Sequence, residues 1–222
     1  MVREDFIMKE VKACLFDLDG VIVDTAKYHY LAWKRLSQEL DFNFTEEDNE
    51  RLKGVSRMTS LDILLSIGQV VATDEEKLAM AEKKNKWYVD YISKLKEDEI
   101  LPGVKEFLTL LRENGIKIAL GSASKNSMLI LENLKLVTYF DAIIDGNKVS
   151  KAKPDPEVFI LGAKELGVNA EECVVFEDAE AGIEAAKRAN MKAVGIGSLE
   201  VLKKADKVVS GFRGLGLEVL EF

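Results

Sequence analysis

The chain has 222 residues, 47% of them hydrophobic and 32% charged, with 31 basic against 39 acidic side chains and a formal charge of −8. That length allows one large domain or a core with a small accessory domain, and the composition is that of a folded, water-soluble protein rather than a disordered or membrane-spanning one. The acidic balance gives no general attraction to polyanions and no basic stripe is visible, which argues against nucleic acid or an anionic membrane as a partner.

Residues 1–10 are charged and lack an apolar run of signal-peptide length, and no window reaches the length of a membrane span, so a cytoplasmic location is expected. Short apolar runs at 12–16, 117–121, 141–144, 173–177 and 192–196 read as parallel strands buried on both faces. Helical patterns at 104–114, 127–134, 157–166 and 181–190 lie between them, two of them closed by Gly115 and Gly167. Strand alternating with helix predicts an α/β fold with a doubly wound parallel sheet, a Rossmann-like core. A further short strand is possible at 207–209.

Residues 26–95 break this rhythm. They contain no convincing strand, and Tyr28, Leu31, Ala32 and Leu36 recur at helical spacing. The expected organisation is a core of 1–25 and 96–222 with a small inserted helical cap of 26–95 over the carboxyl edge of the sheet, where open α/β sheets bind ligands. Within the insert, Thr45 is a helix cap, Thr59 or Ser60 begins a helix, and a long charged helix runs over 74–95. Trp33, Trp87 and Tyr88 fall at helical spacing and are assigned to packing.

His29 is the only histidine, which excludes a histidine-based triad and a zinc site of several imidazoles. Cys14 and Cys173 sit in apolar runs and read as reduced packing residues. Carboxylates, hydroxyls and lysines are left to carry the chemistry.

In FDLDGVIVDT, 16–25, Asp17 and Asp19 end an apolar strand, and residues two apart on extended backbone project to one face. Asp17 is placed to attack phosphorus and Asp19 to give or take the proton of the substrate oxygen. Gly20 allows the sharp turn that follows. Asp24 and Thr25 read as a helix-capping pair. Glu177 and Asp178 repeat the pattern at another strand end. Gathering four acids is costly unless a cation sits among them, and oxygen-only ligands beside phosphate chemistry favour Mg²⁺.

Ser122, Ala123, Ser124, Lys125 and Asn126 form a small-residue turn at a helix start, suited to phosphate oxygens. Lys153 lies where a helix begins and the dipole disfavours a cation, which suggests retention to neutralise a transferring phosphoryl group. Arg57 can grip a phosphate with a planar fork of donors, while LKGVSR, with Lys53, reads equally as an exposed basic turn between helices of the insert. Gly54 reads equally as a helix stop. His29, one helical turn beyond Thr25, can lean over the hinge between core and insert.

The ordered set FDLDGVIVDT, GSASK, AKPDP and EDAEAG resembles the four motifs of the haloacid dehalogenase superfamily over nearly the whole chain. DTAKYHYLAWKRL, LKGVSR with SLDILL, and KIALGSASKN are similar to its β-phosphoglucomutase branch. The resemblance implies conversion of β-D-glucose 1-phosphate to glucose 6-phosphate through glucose 1,6-bisphosphate. It makes Asp17 the nucleophile and a Mg²⁺ ligand, and Asp19 the acid/base and a ligand through its carbonyl, with Glu177 and Asp178 completing the metal site. Ser122, Ala123 and Lys153 would hold the transferring phosphoryl group, and Arg57, Ser124, Lys125 and Asn126 the distal phosphate. The expected ligand is a small phosphosugar, bound by a monomer. Two alternatives stay open: a phosphatase of the same superfamily acting on a small sugar phosphate or phosphoglycolate, and a non-catalytic sugar-phosphate sensor.

Overall fold

The computed structural model describes residues 10–52 and 55–222. Six strands, β1 (Ala13–Phe16), β2 (Lys117–Gly121), β3 (Ala142–Ile144), β4 (Cys173–Glu177), β5 (Lys192–Ile196) and β6 (Lys207–Val209), form one parallel sheet in the order β3-β2-β1-β4-β5-β6. The order reverses beside β1, the position at which a doubly wound sheet opens a crevice at its carboxyl edge. β1 and β4 are buried along their whole length, which explains why they read as continuous apolar runs rather than alternating ones.

The two faces are filled by different residues of the same strands. Cys14 and Phe16 join one core with Phe107, Phe176 and Phe212, whereas Ala13, Leu15 and Cys173 join the other. Phe16 and Phe176 stack at 4.8 Å between ring centroids, and Phe107 meets Phe176 edge-on at 5.3 Å. Both cysteines are free and buried, as expected, and their side chains belong to the two separate cores.

Helices α5 (Val104–Glu113), α6 (Ser127–Asn133), α7 (Glu157–Leu166) and α8 (Glu180–Arg188) connect the strands. Gly167 caps α7 in the left-handed conformation, and Gly115, also at positive φ, follows the Asn114 cap of α5. Residues between β1 and α5 form α1 (Ala26–Glu39), α2 (Glu46–Glu50), α3 (Arg57–Gly68) and α4 (Asp74–Ile92), with no strand among the described ones. Trp33, Leu36, Phe44, Leu61, Leu64 and Leu65 give these helices an apolar cluster of their own.

Helix α3 begins at Arg57, capped by Ser56, two residues before the expected start; the Ser56 hydroxyl accepts the Thr59 N–H, so Thr59 lies in the first turn. Thr45 caps α2 through a reciprocal box with Asp48, and α4 ends at Ile92. The two chain segments that join these helices to the sheet run side by side. Val23 bridges Ile100, the Leu101 N–H donates to the Ile22 carbonyl at 2.9 Å, and the Tyr28 hydroxyl donates to Glu99 at 2.6 Å. Among the described residues no helix is long and apolar enough to cross a membrane.

Candidate active site

Parallel pairing of β1 with β4 sets Phe16 opposite Phe176, so the next residue on each strand, Asp17 and Glu177, emerges at the same edge. The Asp17 N–H donates to the Phe176 carbonyl at 3.0 Å, which continues the ladder to the last residue before the turn. Carboxylate oxygens of Asp17, Glu177 and Asp178 all lie within 4.8 Å of one another. Two carboxylates about 4 Å apart repel by about 4 kcal/mol at an effective dielectric of ~20, so buried Asp17 and Glu177 with half-buried Asp178 require positive charge. Lys153 supplies one such charge: its ammonium, almost buried, donates to Asp17 at 2.5 Å and to Glu177 at 2.7 Å. Burial alone would lower the Lys153 pKa, but Asp17 and Glu177 outweigh it and hold the ammonium protonated.

One lysine does not satisfy the cluster. Burial, with Asp17 and Asp178 nearby, keeps the Glu177 carboxyl raised despite Lys153, and burial with Asp17 and Asp19 raises Asp178. Glu177 also accepts the N–H groups of Asp178 and Ala179, at 3.2 and 3.1 Å. Close packing leaves no slack around the acids. A side chain at Gly182 would fall on the Glu177 carboxylate, and one at Gly20, where φ is +78°, on that of Asp178. An all-oxygen set of this size fits a hard divalent cation.

Asp19 stands apart from this trio. Burial and then the Asp17 charge push its carboxyl up to about 8, so it holds a proton at neutral pH. Thr25 occupies the N-cap position of α1 but makes no side-chain cap; its hydroxyl instead donates to Asp19, and the Tyr88 hydroxyl donates to Thr25 at 3.4 Å. The expected capping role therefore belongs to Asp24 alone, which accepts the Ala26 N–H at 3.0 Å.

The loop after β2 lies beside the acids. Ser122 is buried, Ala123 and Lys125 are exposed, and Ser124 and Asn126 are intermediate. The Ser124 N–H donates to the Ser122 hydroxyl at 3.1 Å and the Asn126 N–H to the Ser124 hydroxyl at 3.2 Å. The Asn126 side chain donates to Asn85 of α4 at 3.4 Å and so joins this loop to the helical insert.

On the insert, His29 stacks on Tyr88 at 4.0 Å, and its Nδ1 lies 2.9 Å from the ammonium of Lys84. Lys84 is only 2% exposed and sits over the rings of Trp33 and Tyr88 at 4.4 and 4.9 Å. Among the described residues it has no carboxylate in ion-pair range; burial, then Arg57, bring its pKa down to about 7. Burial, then Lys84 and Arg57, hold His29 well below the ordinary imidazole value. Arg57 is half-buried at the first turn of α3 and forms no ion pair among the described residues. Lys53 and Gly54 lie outside the described residues.

Sequence reasoning missed Lys84 and gave Tyr88 to packing alone. The signal was available, since Ala81, Lys84, Tyr88 and Ile92 form the buried stripe of α4 and a lysine inside an apolar stripe is anomalous.

These arrangements have counterparts in known proteins. The profile of the haloacid dehalogenase-like hydrolases matches residues 14–196, from β1 through β5. A β-phosphoglucomutase of Bacillus subtilis is 44% identical over 212 residues, covering 95% of this chain and 94% of that one. A phosphorylated carbohydrates phosphatase of Thermotoga maritima is 33% identical over 187 residues, covering 83% and 84%. The crystal structure of a β-phosphoglucomutase from Clostridium difficile superposes with a TM-score of 0.89 at 45% identity, covering 95% and 96%. With strand-tip acids, a lysine between them and a family match running from β1 through β5, this chain belongs to the haloacid dehalogenase-like hydrolases and to their phosphoryl-transfer enzymes.

Proposed function

We propose that the chain is a Mg²⁺-dependent phosphosugar mutase that interconverts β-D-glucose 1-phosphate and glucose 6-phosphate. The observation that carries this reading is the basic pair on the insert: Arg57 and the buried Lys84 have no carboxylate ion-pair partner among the described residues, and Lys84 lies within electrostatic reach of Asp19. A hydrolase of monophosphates needs one anion site; a ligand with a phosphate at each end needs two. The names of the Bacillus subtilis and Clostridium difficile relatives support the same reading.

In this reading residues 26–95 act as a cap on a core of 1–25 and 96–222. Asp17 attacks phosphorus, and as the bond to the leaving oxygen breaks, the proton held by Asp19 passes to that oxygen. Lys153, with Ser122 and Ala123, holds the transferring group, and Arg57, Ser124, Lys125 and Asn126 hold the distal phosphate. Lys53 would join the sugar contacts. The aspartyl-phosphate is discharged onto the 6-hydroxyl of an incoming β-D-glucose 1-phosphate, from which Asp19 takes the proton, to give glucose 1,6-bisphosphate. The bisphosphate then turns round to present its 1-phosphate to Asp17, and repetition of the first step releases glucose 6-phosphate. Asp17, Glu177 and Asp178, with the Asp19 carbonyl, would hold Mg²⁺, which supplies charge neutralisation at the phosphoryl oxygens. Thr25 orients Asp19, and His29 with Tyr88 and Lys84 connects that contact to the cap, whose closure excludes water from the phosphoenzyme.

The phosphatase alternative draws support from the Thermotoga maritima relative. Product analysis separates the two. With β-glucose 1-phosphate and a trace of bisphosphate, glucose 6-phosphate should form without equivalent free phosphate; rapid phosphate release from many substrates would establish the phosphatase. In the same assay Arg57→Ala should lower mutase kcat/KM by roughly 10- to 100-fold, the loss of a charge-assisted anchor. Hydrolysis of p-nitrophenyl phosphate should stay close to wild type, and equal losses on both substrates would remove Arg57 from the distal site.

The raised acids give a pH test of the metal. Asp19, Glu177 and Asp178 bind protons more tightly folded than unfolded, so they lower stability as pH rises through the window from the ordinary carboxylate range to about 8. A cation among them relieves that penalty and competes with the protons. The gain in Tm on adding Mg²⁺ should be small near pH ~5 and grow steadily to pH ~8. A gain that is absent, or independent of pH, contradicts the assigned ligands.

A further inference from the structure

The loop after β2 can hold a phosphate only if its carbonyls point elsewhere, because a carbonyl oxygen beside a dianion repels it while an N–H attracts it. The turn after β3 takes up those carbonyls. The Gly146 N–H donates to the Ser124 carbonyl at 3.1 Å, and the Asn147 side-chain amide donates to the Lys125 carbonyl at 3.1 Å. The Ser127 hydroxyl also donates to the Ser124 carbonyl, at 2.8 Å, and the Ile130 N–H to that of Asn126, at 3.2 Å.

Asn147 is exposed, yet its amide is not free to rotate. Buried Asp145 accepts the Asn147 N–H at 2.9 Å through one oxygen and the Asn147 side-chain amide at 3.0 Å through the other. The carboxylate thus aims the amide, whose second hydrogen reaches Lys125. Gly146 lets the turn approach this closely, since a Cβ there would strike the Ala123 carbonyl.

We infer that Asp145, Gly146 and Asn147 form a brace that turns the carbonyls of Ser124 and Lys125 away from the distal phosphate, with Asn147 as a positioning residue for affinity at that end of the sugar. The inference rests on the distal-phosphate reading of Ser124, Lys125 and Asn126. Without the Asn147 amide the Lys125 peptide can rotate its carbonyl toward the anion. The Asn147 side chain leaves the reacting end alone, because its amide donates to Lys125 and Asp145 and makes no hydrogen bond to Asp17, Ser122, Ala123 or Lys153 among the described residues.

The test is titration calorimetry with glucose 6-phosphate on the Mg²⁺-loaded full chain, beside steady-state kinetics. Asn147→Ala should raise Kd and KM roughly three- to tenfold with a much smaller change in kcat at saturation, the equivalent of one hydrogen bond. Unchanged affinity in Asn147→Ala would overturn the inference, as would parallel losses of affinity and kcat, which mark a general structural defect. Wild-type protein that fails to bind glucose 6-phosphate would overturn the proposed function itself and this inference with it, before any variant is read.

Discussion

Like charges forced together at two neighbouring strand tips are the constraint on which the rest of this molecule depends. β1 and β4 must be adjacent and in register for Asp17 and Glu177 to leave the sheet side by side, and the aromatic stack of Phe16 on Phe176 fixes that register one residue below. Gly20 and Gly182 then give the carboxylates the space that any side chain would fill. Lys153 arrives from a third direction, ahead of α7, and lies against Phe159 at 4.9 Å. Desolvation makes the repulsion strong, and the same desolvation gives Asp19 its proton at neutral pH.

The helical insert carries the opposite imbalance. Lys84 is a nearly buried amine held by an imidazole and two aromatic rings rather than by a carboxylate, with Arg57 adding to the field. The core edge thus holds acids with too little cation, while Arg57 and Lys84 on the insert have no carboxylate ion-pair partner among the described residues. In the proposed function a phosphate ester and a divalent ion would complete both at once, which would tie substrate binding to closure of the insert over the core.

The sheet was legible because its central strands are buried on both faces, so their apolar runs could be read without knowing the partners. The acidic edge was legible for a related reason: acids directly after such a run have few structural uses. Other features depended on tertiary contact and left weaker traces. Thr25 looks like a helix cap in sequence, and only the position of Asp19 across a tight turn shows where its hydroxyl goes. Lys84 hid in a charged helix, because its burial follows from Trp33 and Tyr88 packing around it. The start of α3 shifted because Ser56, Thr59 and Ser60 are all credible caps and only hydrogen bonding selects among them. The brace at Asp145 and Asn147 joins loops more than twenty residues apart and has no local pattern.

The account stands on the side chain at position 17 being the atom that accepts the phosphoryl group. Brief reaction of the Mg²⁺-loaded protein with ³²P-labelled bisphosphate, acid quenching and peptide mapping by mass spectrometry reads that directly. The label should be acid-stable, hydroxylamine-sensitive as an acyl phosphate is, and confined to the peptide bearing FDLDG at Asp17. Label on a serine or on His29, or turnover with no labelled protein at all, would contradict it.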